Sequence, residues 1–254
     1  MNIQGSIVHE ILNMLPNTNK CLVILSGGMD STIAMRLAVE KYGNKNVSAI
    51  TFDYKQKQAI EIDKAKLSTY RLGVKHKVVD AGFLGEISKG FSANVDKDMA
   101  MPTIKDVLGD PTPKTYVPNR NMILMSIAAA YAETQDTETI LCGLQVHDEY
   151  GYWDTTQRFV DSMNEVFAQN RKIKPRLVAP FSQLSKLDEL RILKALDDNV
   201  ELLRFTLTCY NPDHEGRSCG VCPSCSERIA NFAKFGQPDL IEYSKNIPWS
   251  NLIK

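Results

Sequence analysis

The chain has no excess of charge of either sign: 30 lysines and arginines are matched by 30 aspartates and glutamates in 254 residues. Proteins that hold nucleic acid or anionic membranes need a basic field, and this one advertises none. Long apolar runs are missing too, with nothing near the ~20 residues of a membrane span. The first twenty residues lack the basic start of a signal peptide, and Glu10 interrupts their one apolar stretch. There are no internal repeats, low-complexity tracts or evident linkers. Two common glycine signatures are absent as well. No Gly-Lys-Ser/Thr completes a Walker loop, and the third glycine of the dinucleotide fingerprint is not there.

What stands in their place is Val23-Ile24-Leu25-Ser26-Gly27-Gly28-Met29-Asp30-Ser31. The apolar run Cys21 to Leu25 reads as a buried parallel strand, and Thr32 to Tyr42 reads as an amphipathic helix. Strand, glycine turn and helix make an anion site in α/β proteins. The glycines let backbone N–H groups crowd a phosphate, and the helix N-terminus adds partial positive charge. Ser26 and Ser31 offer hydroxyl donors, and Asp30 is placed to hold Mg²⁺ or to cap the helix. The segment resembles the SGGxDS pyrophosphate loop of ATP pyrophosphatases, the alternative being an ordinary capped glycine turn.

Around this loop the chain alternates. Residues 7–15 predict a short helix ended by Pro16. Strands are predicted at Val47–Phe52 and Lys77–Val79, with a helix over Ala59–Leu72 stopped by Gly73. Such β-α repeats imply a doubly wound parallel sheet with ligands at the carboxyl ends of its strands. Residues 81–114 lose the rhythm, carry many glycines and prolines, and are expected to form a long mobile loop or lid. A helix over Met122–Thr134, a strand over Thr139–Leu144, a helix over Thr155–Ala168 and a strand near Leu177 follow. Ser185 and Asp188 then suggest a capping box opening a helix to Leu196. The expected organisation is an N-terminal helical extension (1–19), an ATP-binding α/β domain (20–184, lid about 81–115) and a C-terminal helical metal-binding subdomain (185–254).

Cysteine is used unevenly. Cys21 and Cys142 lie alone in strand-like runs and are expected to be inert core thiols. Cys209, Cys219, Cys222 and Cys225 are bunched, which fits a metal in a reducing, cytoplasmic compartment better than disulfides. A closed set of four thiolates suits structural zinc, and the tight turns at Gly216, Gly220 and Pro223 suit N–H donation to sulfur. An iron–sulfur cluster and redox-active thiols also use such spacing.

With these cysteines in view, nearly the whole chain resembles the 7-cyano-7-deazaguanine synthase family. The matching blocks are Leu25 to Thr32; Thr51-Phe52-Asp53-Tyr54 with Gln56 and Glu61-Ile62-Asp63; and Tyr116-Val117-Pro118 with Arg120-Asn121. They continue with Asp148, Gly151-Tyr152 and Asp154, and with Thr206-Leu207-Thr208-Cys209-Tyr210-Asn211 before Cys219, Cys222 and Cys225. The resemblance implies a Rossmann-like, adenine nucleotide alpha hydrolase-like fold and an ATP-dependent ligase. Its substrates would be 7-carboxy-7-deazaguanine and ammonia, its cofactors ATP, Mg²⁺ and structural zinc, and its state a homodimer without direct contact to nucleic acid. It further implies nucleotide contacts from Ile24, Leu25, Ser26, Gly27, Gly28, Met29, Asp30, Ser31, Thr32, Asp53 and Tyr54. Ser26, Asp30, Ser31 and Arg120 would carry catalysis; Arg120, Asn121, Asp148, Tyr152 and Asp154 would contact the deazaguanine; and the four clustered cysteines would hold the metal.

The chain departs from the family pattern at Lys55, where a glycine is usual, at Asn119, and at Thr155-Thr156, where cysteine and arginine are usual. Lys55 or Arg158 could supply the missing cation, and Tyr150 or Trp153 could compensate by stacking. The competing expectations are a ligase that stops at the amide, a tRNA-modifying ATP pyrophosphatase, and a non-catalytic nucleotide-binding module.

Overall fold

The computed structural model describes residues 3–107, 110, 112–145, 152–197 and 200–253. In chain order the elements are α1 (Ile3–Met14), β1 (Cys21–Ile24), α2 (Met29–Tyr42), β2 (Val47–Asp53), α3 (Ile60–Leu72), β3 (Lys75–Asp80), α4 (Phe83–Ile87) and α5 (Ile104–Val107). They continue with α6 (Arg120–Thr134), β4 (Thr139–Cys142), α7 (Gln157–Phe167), β5 (Arg176–Val178), α8 (Lys186–Asp197), α9 (Pro223–Phe235) and α10 (Trp249–Leu252). The strands form one parallel sheet in the order β3-β2-β1-β4-β5. The chain runs outward from β1 to β3, then returns to place β4 on the other side of β1. That reversal opens a crevice at the carboxyl ends of β1 and β4, where ligands of doubly wound sheets bind.

Strand alternation decides which face each side chain covers. Leu22, Ile50 and Ile140 pack under α6 and α7 with Met125, Ala128, Ala132, Phe159 and Met163. Cys21, Val23, Ala49 and Leu141 point the other way, against Met35, Ala38 and Tyr42 of α2. The far side of α2 is apolar as well: Met29, Ile33 and Leu37 meet Ile11 of α1, Leu190 and Leu193 of α8, and Phe232 of α9. Hence α2 lies between the sheet and a second layer of helices, and the loop before it is held from both directions.

Most predicted elements are present, with shifted ends. Gly73 stops α3 in the left-handed region (φ 65), its N–H reaching Thr69 O and Tyr70 O. Ser185 and Asp188 form the expected cap, with Ser185 Oγ donating to Asp188 Oδ2 at 2.6 Å and Asp188 N donating back at 3.2 Å. Two expectations need correction. Residues 81–96 are not a free loop, because Leu84, Ala93 and Val95 are buried and Ala93 N donates to Lys114 O at 2.7 Å. Spaced apolar residues bury this segment despite its glycines. The helix after β4 starts at Gln157, preceded by a 3₁₀ turn over Trp153–Thr155, and its N-cap is Thr156 Oγ1 accepting from Phe159 N.

Candidate active site and metal centre

The glycine loop sits at the carboxyl end of β1 as a closed set of short contacts. Ser26 N and Ser26 Oγ both lie against Ser31 Oγ (3.2 and 3.0 Å), and Gly28 N donates to Ser26 Oγ at 3.2 Å. Gly27 takes φ +91, and a Cβ there would meet the backbone oxygen of Glu61 at 2.1 Å. No other residue fits that position. Gly28 is the N-cap of α2 and has φ −80, so its backbone places no comparable demand. The loop is also tied to the far end of the chain, since Leu207 N donates to Gly27 O at 2.9 Å.

Asp30 does not cap the helix. Its carboxylate is gripped by Lys186 Nζ at the first turn of α8, at 2.9 and 2.8 Å to the two oxygens. The Lys186 side chain is 5% exposed, and Glu227 of α9 stands 3.7 Å away. Glu189, one turn along α8, is fully buried; burial first, and the nearby Asp30 charge next, push its pKa well above the carboxylate range. Gln145 Nε2 donates to its Oε1. Lys186 thus stands between the carboxylates of Asp30 and Glu227.

Ser26, Gly28, Asp30 and Ser31 open into a cavity of about 330 Å³ that also reaches Ile24, Leu25, Tyr54, Arg120, Asn121 and Tyr152. Arg120 at the start of α6 leans over the Tyr54 ring, 5.8 Å from its centroid, and donates to Tyr54 OH at 3.4 Å. A smaller cavity of about 100 Å³ adjoins, lined by Asn94, Tyr116, Asp154 and Tyr210 and sharing Arg120, Asn121 and Tyr152 with the first. Tyr152 OH meets Thr115 Oγ1 at 2.7 Å, and its ring stacks on Tyr116 with centroids 6.1 Å apart. Asp154 is buried, and burial raises its pKa against the pull of Arg120. Asn121 Nδ2 donates to Asp154 O at 3.1 Å.

Not every expected residue lines these cavities. Gly27, Met29, Thr32 and Asp53 do not: Met29 packs into the helical layer, and Asp53 Oδ1 accepts from Lys55 N at 3.0 Å. Asp148 and Tyr150 lie outside the described residues. Neither Lys55 nor Arg158 reaches the cavities; among the described residues the cations there are Arg120 and Lys186. Trp153 is 48% exposed and packs edge-on against Phe159 instead of stacking in the site. Thr155 and Thr156 spend their hydroxyls on the carbonyls of Tyr152 and Trp153 (2.8 and 2.9 Å). Sequence reasoning gave no role to Lys186, Gln58, Thr115 or Gln145, which all line the larger cavity. A lysine at the first position of a helix and a glutamine beside lysines read as surface residues.

The second centre stands behind the cavity wall. Cys209, Cys219, Cys222 and Cys225 bring their sulfurs within 4.8 Å of one another. Cys219–Cys225 and Cys209–Cys222 are 3.9 and 4.0 Å apart, against about 3.8 Å for a tetrahedron with ~2.3 Å zinc–sulfur bonds. Backbone N–H groups of Asn211 and Cys219 point at Cys209 Sγ (3.3 and 3.2 Å), and that of Cys222 points at Cys219 Sγ (3.3 Å). Such donors stabilise thiolates, so the set fits a tetrahedral metal. The two remaining cysteines are buried, and burial pushes the Cys142 thiol up to about 12. From α9, the buried Arg228 guanidinium pairs with Asp239 at 2.6 Å and donates to Thr206 and Thr208 at 2.9 Å each, on either side of Leu207.

Comparison with known proteins converges on one group. The family described as queuosine biosynthesis protein QueC matches residues 20–236. A 7-cyano-7-deazaguanine synthase of Pseudoalteromonas atlantica is 36% identical over 226 residues, covering 88% of this chain and 98% of that protein. The synthase of Oceanobacillus iheyensis is 37% identical with the same coverage, and that of Caldicellulosiruptor bescii is 37% identical over 91% of this chain and all of its own length. A solved NH3-dependent NAD synthetase from Campylobacter jejuni superposes with a TM-score of 0.47 at 15% identity, covering 80% of this chain and 77% of that one, too distant to bear on function.

Proposed function

Because the chain belongs to the QueC family of queuosine biosynthesis proteins, we propose that it converts 7-carboxy-7-deazaguanine, ammonia and ATP to 7-cyano-7-deazaguanine. A carboxylate is a poor electrophile until one oxygen becomes a leaving group. The acid attacks the α-phosphate of ATP, pyrophosphate departs, and the acyl adenylate accepts ammonia to give the amide. A second ATP activates the amide oxygen, whose loss yields the nitrile. One observation carries this reading: the Ser26–Ser31 loop, the Arg120 guanidinium and the Tyr152 ring open on a single cavity.

In that cavity the loop N–H groups and the serine hydroxyls would take pyrophosphate at the N-terminus of α2. Arg120, already oriented by Tyr54, would hold the substrate carboxylate or the charge growing on the α-phosphate. Tyr152, Asp154 and Asn121 would receive the deazapurine. Mg²⁺ would enter with the substrate phosphates and supplies neutralisation of phosphate charge; Asp30 would hold it only by releasing the Lys186 ammonium that lies against both its oxygens. Zinc would be held by the four cysteines and supplies folding free energy, outside the chemistry. A homodimer and a cytoplasmic location belong to the same proposal.

Nothing about Thr155 or Thr156 favours a halt at the amide, because both hydroxyls are engaged with backbone carbonyls and Thr156 caps α7. Mass spectrometry of products from 7-carboxy-7-deazaguanine, ATP, Mg²⁺ and ammonia is the test. The expected products are the nitrile, AMP and pyrophosphate, with Ser26→Ala or Asp30→Ala about 10²-fold slower. ADP and phosphate as the main products would refute the assignment.

A further inference from the structure

Two hydrogen-bond acceptors on one wall of the larger cavity have no part in the reading so far. Gln58 is 5% exposed, and its Oε1 has no partner among the described residues. Glu61 lies three residues on, and its N–H donates to Gln58 O at 2.9 Å, so one tight turn projects both side chains. Both line the cavity with Tyr54 and Arg120. Glu61 is held in place: Oε1 accepts from Gln56 Nε2 at 3.1 Å, while Gln56 is itself fixed by Tyr54 N (2.9 Å) and Phe52 O (3.2 Å).

An amide oxygen buried without a donor is destabilised, and a donor-rich ligand removes that cost. Polyphosphate and carboxylate bring only acceptors and offer Gln58 Oε1 no donor. Of the reactants in the ligase reading, on which this inference rests, ammonia is the one that is small and offers N–H groups on every side. We infer that Gln58 and Glu61 form the ammonia site, with Glu61 as the general base for attack on the adenylated acid.

The step balances. The ammonia lone pair forms the C–N bond at the acyl carbon, and the Glu61 carboxylate takes one proton from the attacking nitrogen. The C–O bond to the phosphate breaks, and AMP leaves with that electron pair. Burial pushes the Glu61 pKa up to about 8, against the Gln56 hydrogen bond and the Arg120 charge, so the base form grows as pH rises toward that value and, once ionised, takes a proton readily.

The test compares nucleophiles in the metal-loaded full chain. Glu61→Gln keeps an acceptor for Gln56 and removes only the base. Its rate with ammonia is expected to fall about 10²-fold or more. Hydroxylamine, already a free base at neutral pH, should still trap the adenylate as hydroxamate within about threefold of the natural rate. Gln58→Leu should raise KM for ammonia about tenfold, as loss of one hydrogen bond predicts, and leave KM for the deazaguanine acid alone. Equal loss with both nucleophiles in Glu61→Gln overturns the inference. So does a Gln58→Leu effect on KM for the acid, which would mean that this wall reads the purine edge. If the natural protein makes neither AMP nor hydroxamate from the acid and ATP, the ligase reading itself fails, and the ammonia site with it.

Discussion

Lys186 is a cation kept from water only because two carboxylates stand beside it. With Asp30 at 2.8 Å and Glu227 at 3.7 Å, the ammonium is neutralised within the cavity wall. Removing one member of a buried pair leaves the other charge stranded, at a cost of about 3–5 kcal/mol, whereas removing both is far milder. Lys186→Met should therefore destabilise the chain by roughly 3 kcal/mol in urea unfolding, and Lys186→Met with Asp30→Asn should recover more than half of that. A double variant as unstable as the single one would exclude the pairing. Glu61 makes a different statement at the same scale. Its ordinary value of 4.5 rises to about 8 in the fold, so the folded chain holds a proton over that window that the unfolded chain has released. Stability from this group is complete below about pH 4.5 and is lost as pH rises through about 8. The stability of Glu61→Gln relative to the natural chain should accordingly grow between pH 5 and pH 9, read from urea midpoints. A constant difference would count against the raised value. Neither residue's role was legible in the sequence. Lys186 meets Asp30 across 156 positions, and only tertiary packing brings the two together.

Elements were more legible than contacts, because their signals are local. The glycine loop, the strands beside it and the capping box at Ser185 each carry their pattern within a few residues. Residues 81–96 were misread because glycine spacing outweighed three apolar residues whose partners lie elsewhere in the chain. The start of α7 was misplaced for a similar reason, as Asp154 and Thr156 are both good capping residues and the 3₁₀ turn selects the later one. The two loop glycines looked equivalent and are not. Gly27→Ala must push a Cβ into the backbone of α3 at a positive φ, and a loss of roughly 3 kcal/mol is expected. Gly28→Ala meets nothing closer than Ser26 Oγ at 3.3 Å, and should cost well under half as much. Thermal unfolding of the two variants separates them, and similar losses would mean that the turn is not fixed as described.

Across the whole molecule, the cysteine tetrad and the glycine loop are one construction. Cys209 lies two residues beyond Leu207, whose N–H holds Gly27 O, and Arg228 clamps Thr206 and Thr208 on either side. One zinc per chain is expected by elemental analysis. Its removal with a strong chelator should unfold the tail and weaken ATP binding together, followed by circular dichroism and nucleotide titration. Iron in the protein, or full ATP affinity in the metal-free chain, would contradict this coupling. The Leu207–Gly27 hydrogen bond also bears on how the protein is born. Synthesis runs from the N-terminus at about 5–20 residues per second, so the glycine loop waits on the order of 10–40 s for the segment that completes it. A nascent or truncated chain that stops short of Leu207 thus lacks this tie on its glycine loop.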